Sequence, residues 1–141
     1  PRVIAAVKSR APRVFVNART DTHWLAAGRT PDIKETLRRV RRYAEAGADG
    51  VFVPALSDKS GIAAVVEAAG VPVNVLFQPT GPDLRELAGL GVARVSTGSL
   101  PYRAALHAAL GAVLAAAGRG DAVPAAVPSY REITALLPDA T

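Results

Sequence analysis

Apolar positions along this chain follow two rhythms: short runs that are apolar on both sides, and longer stretches with helical spacing. Arg13-Val14-Phe15-Val16-Asn17-Ala18, introduced by Pro12, predicts a first strand. Val51 to Val53, Val73 to Phe77 and Val92 to Val95 predict three more, and each follows a helical stretch that stops at Gly47, Gly70 or the Gly89/Gly91 pair. Short strands that are apolar on both faces and alternate with helices indicate parallel βα units. The stops recur roughly every twenty residues, too closely for a typical open doubly wound sheet, so the units read as parts of a barrel.

The helices have recognisable punctuation. Thr30 is the expected N-cap of a helix with Pro31 at its first position and Asp32 in its first turn, running to about Ala46. Its apolar side carries Ile33, Leu37, Val40 and Ala44. Ser99 and Pro101 open another helix, with Leu106, Leu110, Val113 and Leu114, that ends near Gly118. Residues 119–128 form a linker rich in Ala, Gly and Pro. Ser129-Tyr130-Arg131-Glu132 has capping-box spacing, and Ile133, Leu136 and Leu137 give the terminal helix, residues 129–138, an apolar face. Such a helix needs a dock, and a neighbouring subunit in a homo-oligomer is the expectation. At the other end, Val3, Ile4 and Val7 read as the tail of an amphipathic helix with no cap, as though the chain began inside a fold.

The count of strands sets the architecture. Four strands in 141 residues are about half of the ~250 residues of a whole (β/α)8 barrel. The expected fold is therefore α/β: half of a (β/α)8 TIM-type barrel, with four parallel βα units over residues 1–118, followed by the linker and the C-terminal helix. Four strands cannot close a barrel and leave their outer edges unpaired. An open four-stranded α/β sheet is the alternative.

Composition narrows the function classes. Half of the residues are hydrophobic and 5% are aromatic, enough for one compact core. With no Cys, neither a disulfide framework nor a thiolate metal site can form. No apolar run reaches the roughly 20 residues of a membrane helix and no signal peptide opens the chain, so a cytoplasmic protein without a membrane partner is expected. The net charge of +5 is not read as nucleic-acid binding. Lys34, Arg38, Arg39, Arg41 and Arg42 share the solvated side of one helix, with no aromatic platform beside them.

In parallel barrels the loops after the strands' carboxyl ends form the active site. After the first strand, alternation puts Phe15, Asn17 and Arg19 on one side, which brings Arg19 to the mouth if that side is the interior. A guanidinium there offers a bidentate donor pair for a carboxylate or phosphonate. Asp21 could orient Arg19, bind a metal-bound water or cap the loop; a plain Arg19–Asp21 ion pair is the equally weighted structural reading. Asn74, in an otherwise apolar strand ahead of Gln78 and Pro79, needs a partner, either a substrate oxygen or, more commonly, neighbouring backbone. Ser96 and Thr97, with Gly98 and Ser99, precede a helix N-terminus where an anion could sit, although Ser99 as a simple cap is the commoner arrangement. His23 and His107 are read as incidental, since isolated histidines make no metal site.

Phe15-Val16-Asn17-Ala18-Arg19-Thr20-Asp21 resembles the Ala-Arg-Thr-Asp segment of the isocitrate lyase/phosphoenolpyruvate mutase superfamily. Tyr43-Ala44-Glu45-Ala46-Gly47-Ala48-Asp49, Val73-Asn74, Gly91-Val92-Ala93-Arg94-Val95-Ser96 and Ser129-Tyr130-Arg131-Glu132-Ile133 continue the similarity in order. The resemblance places the chain in the C-terminal half of the family's barrel. It implies a Mg2+-dependent lyase or mutase that cleaves or rearranges C–C or P–C bonds of small 2-oxo or 2-hydroxy acids, often as an oligomer. It further implies that Arg19 grips the substrate's carboxylate or phosphonate and that Asn74 lines the pocket. The family's acidic metal-holding cluster and gating loop belong to the earlier half of the barrel, so the Mg2+ ligands are not expected in this chain. Where several lyases carry Phe-Pro-Glu-Ala, this chain has Phe52-Val53-Pro54-Ala55, which favours a mutase-like branch. A non-catalytic α/β module that binds an acidic metabolite or assembles with a partner is the competing reading.

Overall fold

A computed structural model describes residues 1–25, 31–124 and 126–136. The chain divides into two compact units, Pro1–Gly98 and Ser99–Thr141. The first opens with α1 (Arg2–Arg10) and continues through β1 (Asn17–Arg19), α2 (Ile33–Glu45), β2 (Gly50–Val53), α3 (Lys59–Ala69), β3 (Val73–Leu76), α4 (Leu84–Gly89) and β4 (Arg94–Ser96). The strands form one parallel sheet in the order β1-β2-β3-β4.

That consecutive order has a geometric consequence. Parallel crossovers are right-handed, so a sheet whose strands never reverse order places every connecting helix on the same side. The core obeys this rule. Val51, Val53, Val73 and Val75 from the strands pack with Val40 of α2, Ile62 and Val65 of α3, and Leu87 of α4. Alternation then sends Asn17, Arg19, Phe52, Asn74, Leu76, Arg94 and Ser96 to the opposite face. Among the described residues no helix of this unit covers that face, as expected for half a barrel and not for a doubly wound sheet, which is covered on both sides.

Local chemistry explains the ends of the elements. The side chain of Asp32, not Thr30, caps α2, accepting the backbone N–H groups of Lys34 at 2.9 Å and Glu35 at 3.3 Å. Thr30 itself lies outside the described residues. Asp32 offers a carboxylate at the positive end of the helix, and Pro31 then precedes the cap instead of following it. Helix α2 stops as expected, with Gly47 at φ 91°. Asp58 caps α3 through Gly61 N–H at 2.6 Å, and Asp83 and Glu86 form a reciprocal capping box on α4.

The first strand is shorter than the sequence predicts and lies further along the chain. Arg13–Val16 lie outside it because β2 offers regular pairing partners only from Asn17 onward. The Asp49 carboxylate instead takes the Val16 N–H at 2.8 Å and the Lys8 ammonium at 2.9 Å, tying α1 to the entry of the sheet. The fourth strand likewise begins at Arg94, not Val92, where pairing with β3 starts. In α1 only Ile4 is buried, and Val3 is exposed, so the apolar side is narrower than predicted.

The second unit contains α5 (Leu100–Ala116) and α6 (Tyr130–Thr134). Ser99 stands at the N-cap position of α5 but makes no side-chain cap bond, contrary to the sequence expectation; Pro101 in the first turn has no N–H and so needs no acceptor. Gly118, at φ 64°, follows the end of the helix. The predicted Ser129–Glu132 capping box forms with both of its hydrogen bonds. Leu106, Leu110, Val113 and Leu114 are all exposed. Leu137 and Pro138 lie outside the described residues.

Candidate functional site

Register places one residue from each strand in a single row across the uncovered face: Arg19 opposite Phe52, Phe52 opposite Asn74, and Asn74 opposite Arg94. Neighbouring strands are about 4.8 Å apart, so Arg19 and Asn74, two strands apart, are separated by about 10 Å of backbone. Both predicted binding residues therefore share one face and one row.

Arg19 is the last residue of β1, and its surroundings come from two directions. Phe52 is its cross-strand neighbour, with the ring centroid 5.6 Å from the guanidinium carbon. Beyond the strand, Leu25 N–H donates to Asp21 C=O at 2.9 Å and closes a single helical turn. Residues three apart on such a turn lie on the same side, so Asp21 and Trp24 both return to Arg19. Asp21 accepts the Arg19 Nε–H at 2.6 Å, and the Trp24 ring centroid lies 5.7 Å from the guanidinium carbon. A hydrogen bond of 2.7 Å between the Thr22 and Thr36 hydroxyls ties this turn to α2. The contact fits both the orienting role of Asp21 and the plain Arg19–Asp21 ion pair. Among the described residues the two Nη groups have no hydrogen-bond partner, and they are the edge that recognises an anion. The guanidinium is half exposed, with 47% of its side-chain surface accessible.

Asn74 is 4% exposed, and among the described residues its Oδ1 has no hydrogen-bond partner, neighbouring backbone included. The Asn17 Oδ1 and Gln78 Nε2 atoms are also buried and unpaired. Buried amides in this condition are rare and call for a ligand or a covering segment. Asn17 and Asn74 line a small hollow of about 40 Å³ with Phe15, Gly50, Pro72 and Arg94. A Cβ at Gly50 would fit tightly there, 3.3 Å from Asn17 Oδ1 and 3.1 Å from the Pro72 carbonyl oxygen. The hollow sits toward the amino ends of the strands, away from the rim where Arg19 ends.

The remaining predicted residues divide. The Ser96 hydroxyl is already bonded to Val75 C=O at 3.1 Å, which makes it a strand fastener. Thr97 is exposed and makes no side-chain hydrogen bond among the described residues. His107 is an exposed residue of α5. His23 lies on the helix side of the sheet, in a cleft of about 560 Å³ between α2 and α3 that Asp58 also lines. Burial lowers its pKa, and the Asp58 carboxylate opposes the shift only in part. The sequence reading passed over Phe52, Trp24 and Arg94. Trp24 had a usable signal, three residues after Asp21 in a polar loop. Phe52 and Arg94 had only strand alternation.

The donor set on this face does not fit a divalent cation. Its row is two guanidinium groups, an aromatic ring and an amide, and the one nearby carboxylate, Asp21, is taken by Arg19. Hard cations need several anionic or neutral oxygens. Among the described residues there is no group of three or more His, Asp or Glu able to hold a metal ion.

Comparison with known proteins sets this geometry in context. Residues 2–117 match the family model described as phosphoenolpyruvate phosphomutase. An uncharacterized protein of Mycobacterium tuberculosis strain H37Rv is 48% identical over 136 residues, covering 96% of this chain and 51% of the relative. The oxaloacetate decarboxylase of Ectopseudomonas mendocina is 34% identical over 112 residues, 76% of this chain and 36% of that protein. Among solved structures, a protein from Burkholderia cenocepacia J2315 assigned as a lyase/mutase superposes with a TM-score of 0.78 at 38% identity, covering 94% of this chain and 49% of the other. A phosphoenolpyruvate phosphomutase from Streptomyces platensis subsp. rosaceus gives 0.71 at 27% identity, covering 94% and 47%. The chain thus spans about half the length, or less, of the relatives it matches.

Proposed function

The chain belongs to the phosphoenolpyruvate phosphomutase family, and on that premise we propose that it supplies the anion-gripping rim of a lyase or mutase acting on small 2-oxo or 2-hydroxy acids. One observation carries the reading: a guanidinium at the carboxyl end of a barrel strand, held by a carboxylate through Nε, with its two-nitrogen edge unoccupied. Such an edge binds two oxygens of a carboxylate or phosphonate at once. Breaking a C–C or P–C bond next to a carbonyl builds negative charge on an enolate, and a fixed cation lowers the energy of that charge without reorganising. Asn74 is assigned a supporting role, its buried amide meeting a substrate oxygen or a group of the covering half-barrel. Asn17, Ser96 and Thr97 are secondary candidates. Homo-oligomeric assembly and a Mg2+ site built from other residues belong to the same proposal.

Arg19→Ala in the complete protein tests it. Two charge-assisted hydrogen bonds are lost, so kcat/KM for oxaloacetate or phosphonopyruvate should fall about a hundredfold or more while the fold persists. Arg19→Lys should recover only part of the loss, because an ammonium cannot present a planar fork. Unchanged kinetics in Arg19→Ala would reduce the pair with Asp21 to a structural tie. Saturable binding of oxaloacetate without turnover would favour the non-catalytic module instead.

A further inference from the structure

The geometry points to Trp24 and Phe52 as positioning residues that seat the Arg19 guanidinium. The inference rests on the anion-gripping role proposed for Arg19 and adds the means by which that group is aimed. An arginine on an open face has several rotamers of similar energy, and each one populated away from the ligand weakens binding. Three contacts restrict Arg19. Asp21 holds Nε at 2.6 Å, and the Phe52 and Trp24 ring centroids lie 5.6 Å and 5.7 Å from the guanidinium carbon. Both distances fall inside the roughly 6 Å within which an aromatic quadrupole attracts a cation. With Nε taken by Asp21, the two Nη groups are the donors left for an incoming anion.

The contacts also have independent structural origins, which makes the seat separable by mutation. Phe52 is set by the register between β1 and β2. Trp24 is set by the turn that Asp21 C=O closes with Leu25 N–H. Trp24 is 54% exposed, so its ring makes little contribution to a core and is available for this second duty.

Two measurements on the complete protein test the seat, one of them independent of any ligand. In a nitrogen-15 spectrum, ring currents should displace the Arg19 Nε–H resonance from the position of a solvated arginine. Trp24→Leu and Phe52→Leu should each move it back toward that position, because leucine fills space without a π face. The second measurement is calorimetric titration with oxalate, the smallest dicarboxylate. Trp24→Leu should weaken oxalate binding about fivefold, the worth of one exposed cation–π contact, while Trp24→Phe should stay within about twofold of the unaltered protein. An Arg19 resonance already at the solvated position, or leucine variants that bind oxalate as the unaltered protein does, would overturn the seat. Oxalate binding that does not depend on Arg19 would overturn the proposed function instead, and the spectrum would still decide the seat.

Discussion

Ala55 has φ 64°, the left-handed region where a Cβ crowds the following carbonyl. It lies in the loop directly after β2, on the rim side of the sheet, and is the one non-glycine residue in that region among the described residues. Relief of about 1–2 kcal/mol of strain by glycine is offset by about 0.4–1 kcal/mol of extra unfolded-state entropy. Ala55→Gly should therefore raise stability by roughly 0.5–1 kcal/mol in urea unfolding, and a loss would show the loop to be unstrained. Asp49 gives a prediction in pH. The Val16 N–H, and after it the Lys8 ammonium, hold its carboxyl below the ordinary 3.8. A depressed folded pKa means that this contribution is complete above 3.8 and is lost as pH falls through the lower folded value. Asp49→Asn should flatten that part of the acid-unfolding curve, and an unaltered curve would remove Asp49 as a determinant. For Arg19, its place at a rim and its pairing with Asp21 were both readable from spacing. The orphaned oxygen of Asn74 was not, because hydrogen-bond satisfaction depends on which neighbours the strand meets.

At the scale of the element, α2 shows how local grammar permits more than one register. Thr30-Pro31-Asp32 offers two capping residues around a proline, and the structure uses Asp32. Asp32→Ala should cost about 1 kcal/mol of stability, measured by thermal or urea unfolding, whereas a change below a few tenths would deny Asp32 that role. Along the same helix Glu35 bridges Arg38 and Arg39, whose hydrogen bonds pull its pKa down to about 2. These contacts turn a face that reads as simply basic into one with its own neutralising network. The strands were misjudged differently. Arg13 to Val16 has strand composition, yet a strand is defined by its partner, and the Cα register with β2 starts only at Asn17, the Gly50 N–H reaching back no further than Val16 C=O. The glycine stops and the Ser129–Glu132 capping box were legible because they depend on residues a few positions apart, whereas the Asp83–Glu86 box went unread.

Among the described residues, a small buried cluster of Ile4, Ala18 and Ala48 accompanies the main packed layer, which lies between the sheet and α2, α3 and α4. Ile62 is 1% exposed in that layer, and Leu110 on α5 is 58% exposed. Ile62→Ala should destabilise by about 2–5 kcal/mol through the lost burial and the cavity left behind. Leu110→Ala should change stability by no more than about 0.5 kcal/mol. Chemical denaturation of both variants checks the contrast, and equal effects would mean that α5 is buried against something in solution. The sequence by itself determined the parallel βα plan, the glycine stops after the helices and the family resemblance, since periodicity and glycine act over a few residues. Only the tertiary structure decided which sheet face lies bare, that Arg19, Phe52, Asn74 and Arg94 share one row, and that Trp24 turns back over the guanidinium. Those outcomes follow from pairing between residues far apart in the chain. Strand register and crossover handedness select the neighbours there, and no local pattern encodes them.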